Sequence, residues 1–409
     1  MAGGPGSYVF GEEEKKQLNE VMEGGYLFRY GAEGVDGFCH KVADFENEFC
    51  NVLGAKHVVA TSSGTGSLLC CLAALGIGAG DEVIVPGYTF IASISSIILM
   101  NAIPVLAEID ESLTIDTTKI EGLVTPRTKA IMPVHMLGNP CKMDEILRIA
   151  KKHNLYVVED CCQAVGGSFK GKRLGTYGDI SAYSLNFFKT ISSGDGGAVG
   201  TNDDMLYERA FGFHDQGHKP SRMGVEVGNR SIVGMNMRMN ELTGAVALAQ
   251  TRKLDAVLST LREKKELLKN LLKGMDGFKF RNINDEKECA TLLTLLFDSK
   301  EKAEKFCDII GSKPIAYSGW HVYNNMEQIL NKVTASQANC PYSCEKHKNE
   351  ITYKKHMLPQ TDDILGRAVN ISIGVVDKGL GSGYGININS SEGKIKEVGI
   401  KLRKILLSL

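Results

Sequence analysis

At 409 residues the chain is longer than one hydrophobic core usually supports, so two domains are expected. Its 43% hydrophobic and 23% charged residues are ordinary for a soluble globular enzyme. A net charge of −1 supplies no electrostatic ground for nucleic acid or an anionic membrane as partner.

In chain order, the start Met-Ala-Gly-Gly-Pro-Gly is neither charged nor apolar and does not read as a secretory signal. Residues 1–54 read as an arm packed on a large domain that spans 55–260. Within that domain, short apolar runs alternate with helical patterns. Strands are expected at His57–Thr61, Glu82–Pro86, Ile103–Ala107, Ala130–His135, Tyr156–Asp160, Ile180–Ser184 and Gly197–Gly200. Helical spacing lies between them at Ser67–Leu75, Phe90–Met100 and Met143–Lys152. This α/β repetition argues for a mainly parallel sheet with helices on both faces and ligands at the carboxyl ends of its strands.

A long helix from Met239 to Lys273 then carries the chain into a smaller α/β domain, 261–409. There Ala290–Phe297 reads as a strand and Lys394–Leu407 as an amphipathic helix. The apolar stretch Ile91–Leu106 is broken by Ser, Asn and Pro and is too short to cross a bilayer. Eleven cysteines show no zinc-like spacing, and the pairs Cys70-Cys71 and Cys161-Cys162 sit in core elements. They read as small buried hydrophobes in a reducing, cytoplasmic compartment, with no metal ligand among them.

Three features could carry chemistry. Lys189 ends the apolar run Ser184-Leu-Asn-Phe-Phe-Lys, at an expected strand end before the glycine turn Gly194-Asp-Gly-Gly. A lysine that is buried or flanked by cations loses much of its usual pKa of about 10.4 and becomes a useful nucleophile and base. Asp160 ends the preceding strand, where a buried carboxylate needs a cation or donors unless it caps a helix. Thr61-Ser-Ser-Gly-Thr-Gly-Ser falls between a strand and a helix, so free N–H groups and the helix dipole would face an anion. Hydroxyls of Ser63, Thr65 or Ser67 would add to that; read alone, the segment is equally a Gly-Ser turn. An amine, a carboxylate and an anion cradle together suit pyridoxal 5'-phosphate: amine for its aldehyde, carboxylate for its pyridine nitrogen, cradle for its phosphate.

Seven motifs in order make the resemblance specific. They are Ser63-Gly-Thr-Gly-Ser, Gly78-Ala-Gly-Asp-Glu-Val-Ile-Val-Pro, Tyr88-Thr-Phe-Ile-Ala-Ser, Val134-His-Met-Leu-Gly-Asn-Pro, Glu159-Asp-Cys-Cys-Gln-Ala, Lys189-Thr with Gly194-Asp-Gly-Gly, and Gly234-Met-Asn-Met-Arg-Met. The chain resembles the DegT/DnrJ/EryC1/StrS sugar aminotransferases, enzymes of the fold-type I, aspartate aminotransferase-like architecture. That resemblance implies pyridoxal phosphate, with Lys189 forming the Schiff base, Asp160 on the pyridinium nitrogen, Gln163 at the phenolic oxygen and Phe90 stacked on the ring. Gly64, Thr65 and Ser184, in a loop that includes Gly66, would hold the phosphate. Asn236 would come from the neighbouring subunit of a homodimer. Gly66 stands where the family usually has Ala, and Gly194-Asp replaces the commoner Gly-Glu.

Gly25-Tyr-Leu-Phe-Arg-Tyr, His135-Met, Asp215-Gln-Gly-His and Trp320-His321 resemble the branch that makes 8-amino-3,8-dideoxy-octulosonate for lipopolysaccharide. The branch aminates the C8 aldehyde with L-glutamate as donor. On that resemblance Arg29, His218, Trp320 and His321 are expected at the sugar; Asp377-Lys-Gly-Leu-Gly-Ser-Gly-Tyr-Gly-Ile departs from the branch. Two alternatives stand beside a transaminase. One is other chemistry on the same cofactor, such as dehydration or decarboxylation, although Lys189 disfavours the family's dehydratases, which carry His there. The other is a non-catalytic regulator that kept the fold.

Overall fold

The computed structural model describes residues 2–31, 34–221, 227–343, 345 and 352–409. Met1, Ala32 and Glu33 of the expected arm, and Cys344 and 346–351 of the expected C-terminal domain, lie outside the described residues.

Seven strands form the main sheet: β1 (His57–Thr61), β2 (Glu82–Pro86), β3 (Ile103–Ala107), β4 (Thr128–Ile131), β5 (Tyr156–Asp160), β8 (Ile180–Ser184) and β9 (Gly197–Thr201). A small hairpin, β6 (Ser168–Phe169) and β7 (Lys172–Arg173), interrupts the series between β5 and β8. The sheet order is β1-β9-β8-β5-β4-β2-β3, and β9 runs antiparallel to both of its neighbours. The remaining pairings are parallel. Strands such as Glu82–Pro86 and Ile180–Ser184 are buried along their whole length, as a sheet covered on both faces requires. Two separate apolar clusters, one on each face, hold it.

The helix Glu241–Leu272 leads to a second, antiparallel sheet, β10 (Phe278–Phe280), β11 (Leu292–Phe297) and β12 (Ala368–Ser372), in the order β10-β11-β12. Asn240 caps this helix, its side-chain oxygen accepting from Thr243 N–H at 2.9 Å. The helix Glu392–Leu406 packs on the long helix and closes a third core around Leu261, Phe297 and Phe306. No helix among the described residues is long and apolar enough to cross a membrane. The N-terminal helices Glu12–Gly24 and Lys41–Leu53 both pack on Glu241–Leu272.

Candidate active site

A cavity of about 550 Å³ opens where β1, β2, β4, β5 and β8 end, roofed by loops of the C-terminal region. One wall is the start of the helix Gly64–Ala74. Ser63 caps it, its hydroxyl accepting from Gly66 N–H at 3.0 Å, so the first-turn amides of Gly64 and Thr65 have no intrahelical acceptor. A Cβ at position 64 would stand 2.6 Å from Ser184 Cβ. Glycine is therefore what lets the helix end close on β8, and the resulting cradle suits a phosphate. Ser184 Oγ accepts from Asn186 N–H at 3.3 Å and keeps its own proton to donate. Ser67 instead turns inward, bonded to Thr61 Oγ1, Ser63 O and Tyr183 O.

Asp160 forms the floor and is 3% exposed. Its Oδ2 accepts from Ser93 Oγ at 2.7 Å and its Oδ1 from Cys162 N–H at 3.0 Å. A carboxylate has about four lone-pair sites, so there is capacity left for a ring N–H. Behind it, Glu159 is fully buried and accepts from the N–H groups of Gly175, Tyr177 and Gly178 at 2.6–2.8 Å. Burial alone would raise the Glu159 pKa, but His135 and these donors hold it below the carboxylate range. His135 Nδ1 accepts from Cys141 N–H at 3.0 Å, which leaves the proton on Nε2, 3.1 Å from Glu159 Oε2. His135, Glu159 and Cys161 lie within metal-ligand reach of one another. Both ring nitrogens are already engaged, so the trio braces the ends of β4 and β5. Gln163 Oε1 accepts from Leu137 N–H at 3.1 Å, leaving its amide NH₂ as donor.

Lys189 lies beyond the end of β8, in a turn closed by its own N–H to Asn186 O at 2.9 Å, rather than at the strand end. Burial lowers its amine below the usual lysine value, against the opposing pull of the Asp160 and Asp377 carboxylates. It is the one lysine or arginine among the described residues that line the cavity.

The roof pairs with the loop after β2. Thr89 N–H donates to His321 O and Ile91 N–H to Trp320 O, both at 2.9 Å. Phe90 stacks parallel to Trp320, centroids 6.3 Å apart, and lies 5.3 Å from the His321 ring. Burial, and then the Lys189 charge, push the His321 pKa down to about 3, so the imidazole is neutral near pH 7. Ser318 Oγ holds its Nδ1 at 2.9 Å.

Of the residues expected from sequence, Gly64, Thr65, Phe90, Asp160, Gln163, Ser184, Lys189, Trp320 and His321 line this cavity. Gly66, Asn236, Arg29 and His218 do not. Gly66 lies within the first turn of the cradle helix. Asn236 is exposed beside Arg238, which is paired to buried Asp215 at 2.5 Å. Arg29 is 7% exposed, and its guanidinium is bonded to Glu46, Ala60 O and His214. Its charge is used in seating the arm, which corrects the expectation of a sugar contact. His218 follows the turn at Gln216-Gly217, its Nδ1 buried without a partner among the described residues. Asp195, Asp377, Ser93 and Cys162 line the cavity without having been expected there. Ser93 carried a signal: it follows Phe90 by one helical turn, on the same face.

A model of the DegT/DnrJ/EryC1/StrS aminotransferase family matches residues 9–374. A GDP-perosamine synthase of Caulobacter vibrioides is 43% identical over 219 residues, covering 53% of this chain and 58% of that protein. The chain therefore spans less than two thirds of that relative's length. A GDP-perosamine synthase of Escherichia coli O157:H7 is 38% identical over 264 residues, 64% of this chain and 69% of its own. Among solved structures, 3-amino-5-hydroxybenzoic acid synthase superposes over all of both chains with a TM-score of 0.78 at 25% identity.

Proposed function

Since the chain belongs to the DegT/DnrJ/EryC1/StrS aminotransferase family, we propose that it is a pyridoxal phosphate-dependent sugar aminotransferase, moving an amino group from an amino acid to a keto or aldehyde sugar. One observation carries the reading: the Lys189 amine, the Asp160 carboxylate and the helix start at Gly64 line one cavity. The cradle, the floor and the Phe90 face fit the phosphate, ring nitrogen and ring of that cofactor. Gly64, Thr65 and Ser184 would hold the phosphate, Asp160 would accept from the pyridinium N–H, and Gln163 would donate to the phenolic oxygen.

When bound, the cofactor supplies an electron sink for the bonds at the reacting carbon. The residues of this chain supply the rest. Lys189, its amine shifted toward the neutral form, takes and returns the proton at that carbon. Ser93 Oγ and Cys162 N–H donate to the Asp160 carboxylate and fix its orientation on the cavity floor. Trp320, from the second domain, stacks on Phe90 of the first at the rim of the cavity.

The amino donor is proposed to be L-glutamate and the acceptor a sugar carbonyl, with the C8 aldehyde of an octulosonic acid as the specific candidate. The sugar's aldehyde end would enter first, because apart from Lys189 the described lining offers a carboxylate group no lysine or arginine. The product would serve lipopolysaccharide or a related surface polysaccharide. Asn236 is proposed to act in a homodimer, the partner subunit's Asn236 reaching the phosphate. The exposed apolar side chains Phe28, Val233 and Met235, from nearby segments, favour such an interface. Ten cysteines are free among the described residues, in keeping with a cytoplasmic enzyme.

The test is borohydride reduction of the pyridoxal phosphate-loaded protein followed by peptide mapping. A reduced adduct is expected at Lys189 and absent in Lys189→Ala, which folds but turns over no substrate. With glutamate and a panel of keto and aldehyde sugars, release of 2-oxoglutarate marks a transaminase. A tag elsewhere, or full turnover by Lys189→Ala, overturns the proposal.

A further inference from the structure

The Lys189 amine has no hydrogen bond or ion pair among the described residues, so its place in the cavity is set by the backbone that carries it. That backbone is gripped from outside. Gly4 N–H donates to Phe187 O at 3.0 Å and Gly6 N–H to Lys189 O at 3.3 Å. On the other edge of the same segment, Gly3 N–H donates to Val376 O at 3.0 Å and Val376 N–H to Gly3 O at 2.9 Å. Val376 precedes Asp377, which lines the opposite wall. Four residues at the start of the chain thus tie the lysine loop of one domain to the roof segment of the other.

The composition of this strap is dictated by closeness. A Cβ at position 4 would stand 2.2 Å from the Phe188 carbonyl carbon and 2.6 Å from Lys189 N. At position 6 it would stand 2.5 Å from Ser192 N. Pro5 packs against Gly374, where a Cβ would meet its Cγ at 2.7 Å. Further along the loop, Ser192 N–H donates to Gln250 Oε1 at 3.1 Å, and Gln250 Nε2 donates to Glu14 at 2.8 Å. Glu14 is paired to Lys253 at 2.6 Å. The arm therefore holds the loop at both ends.

We infer that Gly3–Gly6 is a positioning element for Lys189, fixing where its amine meets the cofactor aldehyde. The inference rests on the reading of Lys189 as the residue that condenses with that aldehyde, forming a C=N bond and releasing one water. Misplacing a reacting group by about 1 Å costs on the order of 100-fold in such reactions. Contacts to the phosphate and the ring come from other elements, so they are expected to survive loss of the strap.

The experiment titrates cofactor-free protein with pyridoxal phosphate and with pyridoxine phosphate, which keeps the ring and phosphate but carries an alcohol in place of the aldehyde. In Gly4→Ala the preference for the aldehyde should fall by about ten-fold or more, with pyridoxine phosphate affinity held within about two-fold. Gly11→Ala, on the same arm with open space around its Cβ, should leave both unchanged. A chain lacking residues 2–6 removes the strap without a clash and carries the same expectation should Gly4→Ala yield no folded protein. An aldehyde preference retained in the strap variants overturns the inference, as does an equal fall in both affinities. If the wild type shows no aldehyde preference and no borohydride-stable adduct, the proposed function itself has failed instead.

Discussion

The wall that carries Gly64, Asp160 and Ser184 is made of strand ends and a helix start, whereas the facing roof that carries Trp320, His321 and Asp377 is made of turns. In the wall, each group is fixed by several close contacts: Asp160 by Ser93, Cys162 N–H and the brace behind Glu159, and Gly64 by the approach of Ser184. In the roof, Asp377 is held by one short turn, accepting from Gly379 N–H at 2.8 Å, and Trp320 is 62% exposed. On the proposed function, groups that would hold a constant cofactor sit on the rigid side, and groups that would meet a variable sugar sit on the adaptable one.

Breaking the wall should therefore cost the most. In Gly64→Ala the new methyl meets Ser184 Cβ at 2.6 Å, backed by Cys162 Sγ at 3.1 Å, with little room to retreat. Overpacking of this kind costs about 1–3 kcal/mol, and moving the cradle amides should weaken pyridoxal phosphate binding on the order of 100-fold. Spectrophotometric titration of cofactor-free protein reads the loss directly. Unchanged affinity would mean that the wall yields as easily as the roof. Trp320→Ala and Asp377→Ala should act on the other side. The expected outcome is a rise of about ten-fold in acceptor KM, with cofactor affinity within about two-fold, because neither side chain belongs to the proposed phosphate cradle or ring-nitrogen contact. An equal loss of cofactor binding would erase the distinction between wall and roof.

That distinction also separates what sequence reasoning reaches from what it does not. Strands buried on both faces announce themselves as continuous apolar runs, so β1, β2, β3, β5 and β8 begin and end at the expected residues. The apolar run before it puts Lys189 at a strand end, whereas it stands in the turn beyond, because Asn186 closes that turn with its carbonyl and its side chain. The hydroxyls of the cradle look alike in sequence, yet Ser63 caps the helix and Ser67 is consumed inside. Arg29 reads as a free cation until packing of the arm brings Glu46 and His214 to it. Asp377 shows only as a departure from a related branch, since nothing local reveals that the turn Asp377–Gly381 faces Lys189 across a cavity. For Ser67, Arg29 and Asp377 the missing information is a partner distant in the chain; for Lys189 it is the local turn that Asn186 closes.

Protonation offers a gentler way to compare the two sides. His214 sits under the arm, with Nε2 3.1 Å from Arg29 Nη1 and Nδ1–H donating to Phe211 O at 2.5 Å. Burial, then the Arg29 charge, lower its pKa to about 3, the same as for His321 in the roof. The unfolded chain takes up a proton near pH 6.5 and the folded one near pH 3, so the unfolded state binds more protons throughout that window. Stability should accordingly fall as the pH drops from 6.5 toward 3, by up to about 1.4 kcal/mol per pH unit for each ring. Denaturant unfolding across that range should show a slope flattened more by His214→Gln than by His321→Gln, because a roof made of turns can open and hydrate its histidine. The reverse order would assign the greater rigidity to the roof.

The smallest expected effect lies inside the wall itself and tests how finely its constraint is placed. Gly66 belongs to the same helix turn as Gly64, but a Cβ there would meet Ser63 Oγ at 3.4 Å and Met237 Sδ at 3.5 Å, which is ordinary contact. Its backbone is helical, so alanine fits without strain, and replacing glycine in a helix stabilises by roughly 0.5–1 kcal/mol. Gly66→Ala should raise the unfolding free energy by about that amount and leave pyridoxal phosphate affinity unaltered, since this residue does not line the cavity. The two substitutions are chemically identical and stand one residue apart from each other across Thr65. Opposite signs would show that the wall is constrained by the approach of β8 at one position. Matching losses would mean instead that the whole first turn tolerates no added atom, and that the amide of Gly66, donated to Ser63, shapes the cradle as strongly as its neighbours do.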